Sequence, residues 1–232
     1  MQTRYFDRFL LATLSADETT SLDAVEPSRY LAPSELLRDE SISLPSARRQ
    51  FRAGRIALKT AILAVKNSRE AETIALEDAF RRDDYAALEI GSRDDRNRGV
   101  APKLCDDASR GSISHIATAA VAAYPLSSDD ALGCDVVEFG SVRRNMLDLF
   151  FTESERAALN EPDVWATDEQ DVVWAAKEAA YKAVSRELPF KPNLIEVEPD
   201  GDGRYRVRVE GVELPAFVVD RDQRRAVVVA VR

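Results

Sequence analysis

The stretch DVVWAAKEAAYKAVSR, residues 171–186, decides how the rest of the chain is read. Val173, Ala176, Ala180 and Val184 recur at three- and four-residue steps. That spacing predicts a helix with one buried face lined mainly by small side chains. Trp174, Glu178 and Lys182 recur at four-residue steps on a different side. A glutamate and a lysine so spaced on a solvated helix are worth only about 0.3–0.5 kcal/mol. Their meaning depends on what the neighbouring segments supply.

Downstream the pattern switches to period two. Ile195 and Val197 alternate with charged residues, a DGDG turn follows at 200–203, and Tyr205, Val207 and Val209 alternate with arginines. With the apolar runs at 217–219 and 226–231, this predicts a β-meander. Upstream, LGCDVVEF at 132–139 predicts a strand holding Asp135 among apolar residues. A buried carboxylate must be paired, hydrogen-bonded or bound to metal, because burying it bare costs several kcal/mol. The plainer alternative is an aspartate that caps a turn at a strand end. Residues 142–160 predict a helix and Glu161, Pro162 and Asp163 a loop, while SSDDA at 127–131 predicts a turn and a boundary between halves.

The segment 46–68, SARRQFRAGRIALKTAILAVKNS, predicts a second long helix, after a helix start at Pro33 and a break at Pro45. Phe51, Leu58, Ile62 and Val65 share its apolar face, and Arg48, Arg52, Arg55 and Lys59 share another. A basic helix face is either a solvated surface or a local anion site. Residues 70–107 are charged and turn-rich and read as loops, with one strand near 87–90. Residues 111–124 read as a strand followed by a small-residue strand or helix, and begin with SISH at 112–115, which holds the single histidine, His115. On its own that histidine reads as structural. Together these elements give an α+β fold with antiparallel pairing.

Composition narrows the function. The chain has 232 residues and a net charge of −9 from 32 basic and 41 acidic side chains. Nucleic-acid binders are usually basic. The apolar runs fall well short of the roughly 18 residues of a membrane span, and the first residues show no signal-peptide pattern. Cys105 and Cys134 make neither a disulfide framework nor a zinc pattern, so a cytoplasmic location is expected. No GxGxxG, P-loop, GxSxG or HExxH is present.

Five motifs follow one another in order: Arg48–Phe51–Gly54–Arg55, Ser112–Ser114–His115, Gly133–Asp135, Phe151–Thr152–Glu155, and Trp174–Lys177–Glu178–Ala179–Lys182. Over about residues 31–183 this order and spacing resembles the 4′-phosphopantetheinyl transferase superfamily. It is closest to the longer type that activates nonribosomal peptide and polyketide synthases. The resemblance implies two similar halves forming a pseudo-dimer, each an antiparallel sheet packed on a long helix, with coenzyme A in the cleft between them. Residues 1–127 would bind the coenzyme A nucleotide and residues 128–232 would carry the metal and catalytic residues. The sequence itself shows no convincing internal repeat.

The implied reaction moves 4′-phosphopantetheine from coenzyme A to a serine of an apo acyl or peptidyl carrier protein and releases 3′,5′-ADP. Asp135 and Glu178 would hold Mg2+, Glu178 or a metal-bound water would take the serine proton, and Lys182 would offset phosphate charge. Arg55, Ser114, His115 and Arg48 would bind the nucleotide, with Arg98 or Lys103 as weaker candidates. Arg143 and Arg144 would dock the acidic carrier, and the protein would be a monomer. One position departs from the longer type, which has Asp-x-Glu in the strand. Here Val137 takes the second place and Glu138 lies one residue further on, where the alternation turns it to the opposite face unless a bulge intervenes. The rival readings are a non-catalytic homologue that binds coenzyme A or a carrier protein, and an unrelated α+β interaction protein.

Overall fold

In the computed structural model the described residues are 1–67, 84–91, 103–104, 110–159, 168–184 and 189–232, with backbone only at 103–104. Most of the loops expected at 70–107, with Arg98, the Lys103 side chain and Cys105, lie outside them, as do Glu161, Pro162 and Asp163. The chain divides into two compact units, Met1–Asp130 and Ala131–Arg232. Each is an antiparallel sheet packed on a long helix.

In the first unit, β1 (Gln2–Tyr5) and β2 (Phe9–Ser15) precede α1 (Ala16–Ser21), α2 (Pro33–Ser41) and the 22-residue α3 (Pro45–Lys66). A four-residue helix, α4 (Asp84–Ala87), and a small pair, β3 (Ile90–Gly91) with β4 (Lys103–Leu104), come next. The hairpin β5 (Ser112–Ile116) and β6 (Ala119–Pro125) completes a sheet of order β1-β2-β6-β5. α3 packs across β2, β6 and β5. Gly54 permits that approach: a Cβ there would stand 2.7 Å from the Ile113 side chain. Leu58 and Ile62 are buried as the periodicity predicts, and Phe51 and Val65 pack at the core margin.

In the second unit, β7 (Leu132–Glu138) is followed by α5 (Arg144–Phe150), α6 (Glu153–Leu159) and the 16-residue α7 (Glu169–Val184). The meander β8 (Glu196–Pro199), β9 (Arg204–Val209), β10 (Val212–Arg221) and β11 (Arg225–Val231) completes a sheet of order β7-β11-β10-β9-β8. The helix expected at 142–160 is thus two short helices. Phe151 leaves helical geometry (ψ 146°) and buries its ring, while Thr152 starts the next helix with a reciprocal cap. Glu155 N–H bonds Thr152 Oγ1 at 3.3 Å, and Thr152 N–H bonds Glu155 Oε2 at 2.8 Å.

Each unit has its own polar hub, which periodicity does not reveal. Lys177, fully buried on α7, donates to Pro192 O (2.8 Å) and Ile195 O (2.6 Å) and pairs with buried Glu155 at 2.7 Å. Glu155 also accepts Val197 N–H at 2.8 Å. Lys59, fully buried on α3, donates to Tyr30 O and Tyr85 O, each at 2.8 Å, and to Glu35 of α2. Glu35 in turn accepts Ala32 N–H at 2.8 Å. Each ammonium ties its long helix to a short capped helix and to two carbonyls. Burial pushes both lysines below their ordinary pKa, and the partner glutamate pulls back.

Candidate active site

Asp135 lies on β7 beside α7, and Gly133 makes the approach possible. A Cβ at Gly133 would stand 2.0 Å from Ala179 O and 2.7 Å from Lys182 Cβ. Any side chain there must push the strand from the helix, which gives the Gly-x-Asp spacing a physical reason. Ala175, Ala176, Ala179, Ala180 and Ala183 are the small buried residues on the helix.

The close packing brings three charged side chains together. Asp135 is 5% exposed. Lys182 Nζ donates to Asp135 Oδ1 at 2.7 Å and to Cys134 O at 3.1 Å, and lies 3.6 Å from Glu178 Oε2. Burial, then the negative charge of Asp135, pushes Glu178 up to about 7, against the opposing pull of Lys182. Burial alone would push the Lys182 ammonium down, but the Asp135 and Glu178 charges overcome it and hold it above the ordinary lysine value. The three side chains form one electrostatic unit.

Asp135 and Glu178 fit a hard divalent cation. Two neighbouring carboxylates, one of them pushed up by burial and then by the charge of the other, are the donor set a magnesium ion takes, with water completing its shell. Among the described residues no group of three or more His, Cys, Asp or Glu side chains is assembled for a metal. Val137 is buried in the core of the unit. The β7–β11 register runs unbroken from Leu132 to Glu138, so no bulge turns Glu138 inward, and it is exposed.

In the first unit the basic face of α3 is neither bare nor solvated. Arg52 pairs with Asp39 of α2 through two bonds of 2.8 and 2.6 Å. Arg55 is 6% exposed, 3.5 Å from Glu35 and stacked over Phe51 at 5.0 Å, and burial pushes its pKa down. Arg48 donates to Ile42 O (2.8 and 3.2 Å) and Glu40 O (3.3 Å), fastening the end of α2. The partners of this face, Glu35 and Asp39, are one helical turn apart on α2 and carried the signal in sequence. Ser114 is half-buried and His115 exposed on β5. Arg143 and Arg144 are exposed at the start of α5.

Two carboxylates and an ammonium on a strand and helix in van der Waals contact define a class of site suited to a phosphate-bearing ligand and a divalent cation. Residues 131–231, the whole extent of the second unit but its last residue, match the family model of the 4′-phosphopantetheinyl transferase superfamily. The motifs Gly133–Asp135, Phe151–Thr152–Glu155 and Trp174–Lys177–Glu178–Ala179–Lys182, which carry the resemblance in this half, fall within the matched residues. No curated protein matches the chain. Among the described residues no helix is long and apolar enough to cross a membrane.

Proposed function

We propose that this protein transfers 4′-phosphopantetheine from coenzyme A to a serine of an apo acyl or peptidyl carrier protein. The observation that carries the proposal is the Asp135–Lys182–Glu178 cluster within the matched domain. The serine oxygen attacks the phosphorus that bears the pantetheine. The bond from that phosphorus to the pyrophosphate bridging oxygen breaks, and 3′,5′-ADP leaves with the bond's electron pair. Glu178, held near neutrality, is tuned to take the serine proton at physiological pH. Lys182 holds Asp135 in place and presents positive charge to the phosphates. Asp135 and Glu178 would bind Mg2+, which supplies charge neutralisation at the pyrophosphate.

The first unit supplies the nucleotide contacts. Ser114 and exposed His115 present a hydroxyl and an imidazole from β5, and Arg55 adds charge from α3. Arg48, spent on backbone carbonyls, contributes charge at a distance. Arg143 and Arg144 dock an acidic carrier. The protein acts as a cytoplasmic monomer.

A non-catalytic homologue that binds coenzyme A or a carrier protein is the second reading. Its support is Val137, an apolar residue where the longer type of the superfamily has a second strand carboxylate. Replacing Glu178 by Gln separates the two. The isosteric amide keeps the packing, so the variant retains its circular-dichroism spectrum and melting temperature while transfer falls by about 10³-fold or more. Unchanged transfer in that variant sinks the role given to Glu178.

A further inference from the structure

Asp171 is a fully buried carboxylate in the first turn of α7, and its hydrogen bonds have a single target. Oδ2 accepts Gly140 N–H at 2.9 Å; Oδ1 accepts Val142 N–H at 2.8 Å and the Ser141 hydroxyl at 3.1 Å. The neighbouring Gln170 donates to Val142 O at 3.0 Å. All of these groups belong to three consecutive residues of the loop that leaves β7. A buried carboxylate is costly unless its lone pairs are filled, and here they are filled by this loop.

The rest of the loop is equally constrained. Phe139 N–H bonds Arg224 O at 2.7 Å, and the Arg221 guanidinium lies 5.1 Å over the Phe139 ring. Gly140 holds φ +82°, a conformation that sends the chain sharply off the strand. The two residues after the clasp are the exposed Arg143 and Arg144, where α5 begins. Three residues of strand separate Asp135 from Glu138, about 10 Å. Seven residues of helix separate Asp171 from Glu178, again about 10 Å. The clasp therefore fixes the backbone from which two exposed arginines extend at a set distance from the carboxylate pair.

We infer that Asp171 is a positioning residue for carrier docking: by clasping 140–142 it sets where Arg143 and Arg144 meet an acidic carrier, relative to the reacting serine. The inference rests on the proposed transferase function. Two long, flexible arginines on an untethered loop would bind an acidic helix in many poses, few of which bring the serine to Glu178. Holding their backbone removes that freedom before the partner arrives.

A double-mutant cycle tests it, with transfer measured on the apo carrier that the wild-type protein modifies best. Asp171→Asn puts an amide N–H against a loop N–H. It should raise the carrier KM roughly tenfold, with kcat and the coenzyme A KM within about twofold of wild type. In a background where Arg143 and Arg144 are both Ala, the same substitution should add little, because the groups it positions are gone. Ser141→Ala removes one of the three bonds and leaves the carboxylate intact; it should show the same pattern at smaller size, and it carries the test if Asp171→Asn does not fold. An equal rise in carrier KM with and without the arginines, or a loss confined to kcat, overturns the role of Asp171 alone. Absence of transfer by the wild-type protein on every carrier overturns the proposed function and this inference with it.

Discussion

Glu178 is the site carboxylate that burial and a neighbouring charge move well away from its ordinary state. Its carboxyl sits near 7 because of burial and the Asp135 charge. Below that value the protonated form dominates, and a proton must leave before a cation can bind. Above it the carboxylate is already available. Mg2+ affinity should therefore rise with pH, by roughly tenfold between pH 6 and pH 8, and level off beyond. Titration calorimetry across that range measures it, and Glu178→Gln should abolish the slope. A flat profile in the unaltered protein would show that Glu178 does not compete for protons at the cation site. Lys182 works in the opposite sense: held above the ordinary lysine value, it stays an ammonium throughout this window and contributes no slope of its own.

At the scale of elements, the long helices are held by their buried lysines as well as by apolar packing. Lys177→Ala would leave the buried Glu155 carboxylate without its counter-charge, held only by the Thr152 and Val197 N–H groups, and would free two carbonyls. The expected cost is about 3–5 kcal/mol of unfolding free energy, read from urea denaturation. A cost below about 1 kcal/mol would show that the hub is incidental. The apolar stripes of α3 and α7 and the alternation of β8 to β11 were legible in the sequence because one-residue periodicity reports burial directly. The hubs were not. Glu35 and Lys59 stand 24 residues apart and Glu155 and Lys177 stand 22 apart; Glu155 and Lys177 were visible as motif positions and Lys59 as part of a basic face, but nothing in the spacing pairs them. The break at Phe151 was hidden for a related reason. Its ring had to leave the helix to be buried, and no glycine or proline marks the place. In the site, Asp135, Glu178 and Lys182 were legible as motif positions, but the reason for Gly133 is a helix backbone 2.0 Å from where its Cβ would be. That is a tertiary fact.

Among the described residues both units follow one plan, and the Asp135–Glu178 pair lies in the second. Thr60 follows Lys59 as Glu178 follows Lys177, and its hydroxyl is occupied by Ile56 O at 2.8 Å and Tyr85 Oη at 2.9 Å. β2, which precedes the helices of the first unit as β7 does in the second, carries no acidic residue. Among the described residues the first unit thus keeps the hub and shows no counterpart of the Asp135–Glu178 pair at these positions, consistent with the nucleotide role proposed for it. The net charge of −9 sets a further condition. An acidic partner gains no long-range attraction to a protein of this net charge, so under the proposed function productive encounters would depend on the local arginines.

The central claim is group transfer by the second unit, and intact-mass spectrometry tests it most directly. A panel of apo carrier proteins is incubated with this protein and coenzyme A, with Mg2+ and with the metal chelated. The account predicts that at least one carrier gains the mass of a single phosphopantetheine in the presence of metal and none without it. No gain on any carrier, with coenzyme A still bound, would contradict the account and point to Val137 as the reason the cation site fails.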